Sequence, residues 1–156
     1  LDLGVHLVDL APWALDFPRI ERVDAALFAG GERLRPGRAA VEDYAAATLE
    51  LPGGVVVRIA CSWRLNAGAD AQIEATFYGV SGGARMRNVG GSFYDFRAER
   101  LTGTACEIIV EPPDAWGGRT VTDWASRLAR DRRFDPQANT YVRVAEALDA
   151  IYGRAA

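Results

Sequence analysis

The 156-residue chain contains no lysine, so all 18 of its basic side chains are arginines. No amine is available for a Schiff base, a lysine general base or a phosphate-loop contact. Histidine occurs once, at His6, and cysteine twice, at Cys61 and Cys106. That is too little nitrogen and sulfur for a zinc or iron site of ordinary spacing, so no metal is expected. The two cysteines lie far apart in runs that read as strands, where a thiol is a small buried hydrophobe, which fits a reduced, cytoplasmic setting. No apolar run approaches the ~18 residues that span a bilayer, and the start lacks the order of a signal peptide. A net charge of −3 with scattered arginines leaves no basic footprint for nucleic acid. A G-x-S-x-G elbow is missing, and Gly79, Gly82, Gly83, Gly90 and Gly91 do not form G-x-G-x-x-G between a strand and a helix. These glycines read as turns, and the chain encodes no dinucleotide-binding half. It begins within an apolar helix, without a methionine or a capping residue, as expected of a piece of something longer.

With 49% hydrophobic and 25% charged residues, the composition is that of an ordinary globular domain, and residues 1–156 are expected to form one. The opening helix stops at Phe17-Pro18, after which the periodicity changes to alternation. From Val55 to Leu65, Val55, Val57, Ile59, Cys61, Trp63 and Leu65 point one way, and Val56, Arg58, Ala60, Ser62 and Arg64 the other. Leu51-Pro52-Gly53-Gly54 supplies a tight turn that pairs this run with Asp43–Leu51 as a hairpin. Further strands are expected at Ile20–Ala29, Ala71–Gly79, Ala84–Val89, Ser92–Leu101 and Cys106–Glu111. Thr122 or Asp123 caps a short helix to about Arg132. In a last helix Tyr141, Val144, Ala145, Leu148, Ile151 and Tyr152 follow i, i+3, i+4, i+7 spacing up to Gly153. The expected fold is α+β, an antiparallel-rich open sheet of about six strands with helices on one face. The outward residues, among them Tyr44, Thr48, Arg58, Ser62, Arg64, Glu74, Thr76 and Tyr78, either meet a second copy or face water.

The opening helix carries the polar groups of interest. At ~100° per residue, Asp2, His6, Asp9 and Trp13 fall in a narrow arc on a helix that is otherwise almost wholly apolar. A carboxylate one turn before an imidazole can orient it and favour its protonated form, as a proton shuttle near neutral pH requires. A second carboxylate one turn later can accept hydrogen bonds from substrate hydroxyls. An exposed stripe with chance neighbours has the same spacing, although the arc holds none of the long Arg or Glu side chains frequent elsewhere and ends in a Trp.

Three stretches, Asp2-Leu3-Gly4-Val5-His6-Leu7-Val8-Asp9, the hairpin from Glu42-Asp43-Tyr44 to Pro52-Gly53-Gly54, and Val144–Tyr152, resemble in the same order the C-terminal domain of Gfo/Idh/MocA-type oxidoreductases, with its dihydrodipicolinate- and glucose-fructose-oxidoreductase-like fold. The resemblance implies an NAD(P)-dependent sugar or polyol oxidoreductase in which His6 is the acid/base, Asp2 its partner, and Asp9 and Trp13 substrate contacts. It further implies that an N-terminal Rossmann domain of the parent, absent from this chain, binds NAD or NADP and supplies a lysine. The fragment alone then binds no cofactor and catalyses no hydride transfer. Its partners would be that Rossmann domain, a small-molecule sugar or polyol, and a second copy in a homodimer or homotetramer through the sheet face. The alternative is a non-catalytic binding or assembly module dimerising through that face.

Overall fold

The computed structural model describes residues 3–35 and 40–154. By internal contacts the chain divides into two units, Leu1–Leu65 with Asp135–Ala156, and Asn66–Phe134.

In the first unit, strands β1 (Arg22–Ala29), β2 (Glu32–Arg33), β3 (Tyr44–Leu51) and β4 (Val55–Ser62) form an antiparallel sheet in the order β2-β1-β3-β4. The β3–β4 hairpin turns through Pro52-Gly53-Gly54, where Gly53 and Gly54 adopt φ of 75° and 78°, open to glycine without strain. Alternation decides which face is apolar. Ala45, Ala47, Leu49 and Leu51 of β3 are buried, and register sets Ala47 beside Ile59 and Leu49 beside Val57. Helices α1 (Gly4–Ala14) and α3 (Thr140–Ile151) supply the other side of this core. Val8 from α1 and Val144, Ala147 and Ile151 from α3 join Ala47, Leu49 and Ile59 in one cluster. The α3 stripe therefore includes Ala147, while Tyr141, placed on that face by spacing, is 70% exposed.

Helix α1 buries only Gly4, Val8 and Pro12. Leu3 and Trp13 are 50% and 65% exposed, so the helix is covered on one side and not all round. It ends where Asp16 and Phe17 take positive φ, with Phe17 N–H donating to the Pro12 carbonyl at 2.6 Å.

In the second unit, β5 (Glu74–Gly79), β6 (Gly82–Asn88), β7 (Phe96–Thr102) and β8 (Ala105–Val110) form an antiparallel sheet in sequential order, with a register shift at Ala98/Glu99. Helix α2 (Arg119–Arg130) follows, and none of its residues is buried. The α+β, antiparallel architecture is the expected one. Among the described residues, however, the strands group into two sheets of four, because Asn66–Ile73 forms no strand and β5 starts at Glu74. Tyr44, Thr48, Arg58 and Ser62 thus belong to one sheet, and Glu74, Thr76 and Tyr78 to the other.

Candidate functional site

Strand register fixes the two ends of the first unit. Arg22, Glu50 and Val56 stand in one row, and Phe28, Tyr44 and Ser62 in another at the opposite end. Helix α1 leads through Phe17 to Glu21, whose N–H donates to the Glu50 carbonyl at 2.8 Å. Pro12 and Arg22 line a common cleft of about 630 Å³, so the C-terminal half of α1 belongs at the Arg22 row. With a rise of ~1.5 Å per residue, His6 lies about 9 Å back along the helix from Pro12. Helix α3 runs from the first end to the second, since Arg143 near its start donates to the Phe17 carbonyl and Tyr152 at its close reaches Glu42.

Of the sequence-selected residues, His6 and Asp9 occupy the same side of α1, His6 exposed and Asp9 half-buried, with exposed Trp13 one turn beyond. Asp2 lies outside the described residues, so the Asp2–His6 pairing has no geometry here. No group of three or more metal-ligating side chains occurs among the described residues.

Sequence spacing missed a second constellation, which gathers at the Ser62 end. Glu42 is 7% exposed, and the Tyr152 hydroxyl donates to its Oε1 at 2.5 Å. The carbonyl of Glu42 accepts from Trp63 Nε1 at 3.0 Å. Each of these rings carries a guanidinium over it, Arg64 at 5.4 Å from the Trp63 centroid and Arg154 at 4.9 Å from that of Tyr152. Ser62 Oγ donates to the Asp43 carbonyl at 2.7 Å and accepts the Arg64 N–H at 3.1 Å, fixing the backbone beneath the pair. Burial and the adjoining Glu42 carboxylate push the Tyr152 hydroxyl well above its ordinary range, so it stays a donor. Burial opposes charge on Glu42, yet the hydrogen bonds it receives, that of Tyr152 among them, outweigh burial and hold its carboxyl below the usual range. An open cleft of about 1220 Å³ adjoins this cluster, lined by Ala25, Leu27, Glu42, Ile151, Tyr152 and Arg154 among others, and His6, Asp9 and Trp13 do not line it.

This unit holds an imidazole on an open helix face and a cluster of aromatic rings and guanidiniums tied to Glu42. Such a surface can transfer a proton and can hold an anion or a ring. Residues 1–85 match the sequence profile of the GFO/IDH/MocA C-terminal domain, and the chain belongs to that family. Its fold is similar to that of the aldose-aldose oxidoreductase from Caulobacter crescentus complexed with glycerol, at a TM-score of 0.71 and 17% identity, over 97% of this chain. The chain corresponds to 43% of that protein's length. No curated protein matches the chain.

Proposed function

We propose that this chain is the substrate-binding half of an NAD(P)-dependent oxidoreductase acting on a CH–OH group of a sugar or polyol. The observation that carries the reading is the placement of His6: the chain's one imidazole stands exposed on α1 within a GFO/IDH/MocA C-terminal domain. His6 takes the role of acid/base, exchanging a proton with a substrate hydroxyl, with Asp2 orienting it. Asp9, half-buried one turn on, accepts hydrogen bonds from neighbouring hydroxyls, and Trp13 closes the same side. The described strands are all antiparallel, and the glycine pair that precedes a described helix, Gly117-Gly118 before α2, is separated from β8 by residues 111–116 and lacks the G-x-G-x-x-G spacing of a dinucleotide cradle. These residues do not fit NAD(P), which belongs to a Rossmann half of the parent.

The test is made in the full-length parent. His6→Ala is expected to lower kcat with a sugar or polyol and either nicotinamide cofactor by about 10²- to 10⁴-fold, the scale of a positioned acid/base. Unchanged turnover removes the role.

A specific observation also supports an assembly role. Among the described residues every buried apolar side chain lies in the first unit, whereas Tyr78, Ile108, Ile109 and Val110 of the second sheet are 86%, 46%, 51% and 43% exposed. A sheet this uncovered fits a homodimer or homotetramer that closes over it.

A further inference from the structure

We propose that the cluster anchored on Glu42 is a subsite for an anionic group, so that the substrate is a sugar or polyol bearing a carboxylate or a phosphate ester. The inference rests on the oxidoreductase reading and specifies its substrate class. Both rings at this end are tied to one residue, Trp63 to the Glu42 carbonyl and Tyr152 to its carboxylate. A ring fixed in this way holds the guanidinium stacked on it in place, while the N–H edge of that guanidinium stays free to fork onto an oxyanion. Arg64 and Arg154 form no ion pair among the described residues. In contrast, Arg85 and Arg87 share Glu99, and Arg100, Arg119 and Arg133 each hold a carboxylate. Glu42 stays ionised and contributes one negative charge against the two guanidiniums, so the cluster keeps a net positive charge. Trp63 is 61% exposed, a large apolar surface held rigid and uncovered, suited to lie against the C–H face of a sugar ring. The open cleft lined by Glu42, Tyr152 and Arg154, which Trp63 and Arg64 do not line, gives room to the part of such a molecule held by Arg154.

The experiment uses the full-length protein and three probes, glucose, gluconate and glucose 6-phosphate, each followed by calorimetric titration and by turnover with NAD and NADP. Gluconate or glucose 6-phosphate is expected to bind more tightly than glucose, the better of the two assigning carboxylate or phosphate. Arg64→Gln and Arg154→Gln should each weaken the preferred anion by about 10- to 100-fold, the loss of a charge-assisted hydrogen bond, through KM more than kcat, while leaving glucose unchanged. Trp63→Phe, which keeps a ring but loses the tether to Glu42, should weaken anion binding less than Arg64→Gln does. Circular dichroism confirms that each variant is folded. Anion binding no tighter than glucose, or equal losses for charged and neutral probes in the arginine variants, overturns the subsite. Arginine-dependent anion binding without turnover on any probe supports the subsite and removes the oxidoreductase reading instead.

Discussion

Glu42 and Glu99 are the buried carboxylates among the described residues, and each is balanced differently. A carboxylate out of water costs several kcal/mol unless partners satisfy it. Glu99 is 2% exposed on β7 and receives Arg85 Nε at 2.5 Å and Arg87 from β6 at 3.1 Å. Hydrogen bonds from Arg87 and then Arg85 outweigh burial and hold its carboxyl below the usual range. A depressed folded-state value gives stability that is present above the unfolded carboxyl value, about 4.3, and is lost as pH falls through the folded one. Acid titration by circular dichroism should therefore show the β5–β8 sheet loosening below about pH 4. Glu99→Gln should be less stable at neutral pH and flat through that window, and equal unfolding midpoints at pH 7 would contradict this. For Glu42 one partner is the Tyr152 hydroxyl, and Tyr152→Phe should lower unfolding stability in urea by about 1–3 kcal/mol by leaving a buried acceptor underserved. His6, Asp9 and Trp13 were legible as one side of a helix because their spacing is local. Glu42 and Tyr152 were not, since 110 residues separate them and no periodicity links the end of a helix to the loop before a strand.

Elements differ in how much they bury, and their tolerance of substitution should differ accordingly. Leu49 on β3 is fully buried among Val8, Ile59 and Val144, so Leu49→Ala should cost about 2–5 kcal/mol of unfolding free energy. Helix α2 also presents an apolar stripe, but its Val121, Trp124 and Leu128 are 67%, 57% and 41% exposed. Leu128→Glu should then stay within about 0.5 kcal/mol of the parent chain in dilute solution, and a large loss would mean that α2 is covered there. The strands were legible to within a few residues, because alternation through Val57, Ile59 and Cys61 is a property of the chain itself. The start of α2 was less so. It begins at Arg119, after Gly118 at φ 81°, rather than at a side-chain cap on Thr122 or Asp123. The pairing of Glu32 with Ala29 in a two-residue β2 was missed, although the Gly30-Gly31 loop between them, at φ 60° and 84°, is a hairpin signal, because the strand after it is too short to show alternation.

At the scale of the molecule, the uneven placement of the core links fold to assembly. Val8, Ala45, Ala47, Leu49, Leu51, Ile59, Val144, Ala147 and Ile151, the buried apolar residues among those described, all belong to the first unit. The one buried side chain of the second sheet is the charged Glu99. Apolar burial is the main favourable term in folding, and ion pairs replace it poorly. The sequence disclosed the apolar faces of both sheets by the same alternation, yet it could not disclose which face would be covered, because covering depends on what lies beyond the strand. On the assembly reading, the β5–β8 sheet draws its protection from a second copy. Amide hydrogen exchange tests this directly, because each amide reports the free energy of its own opening. In dilute solution the amides of β3 and β4 should exchange slowest and those of β5–β8 markedly faster. As protein concentration rises through the association range measured by light scattering, β5–β8 should gain protection while β3 and β4 stay unchanged, since only a self-associating face couples opening to concentration. Protection in β5–β8 that equals that of β3 at every dilution would mean that four strands hold together without an apolar core, and the homo-oligomer would lose its physical motive.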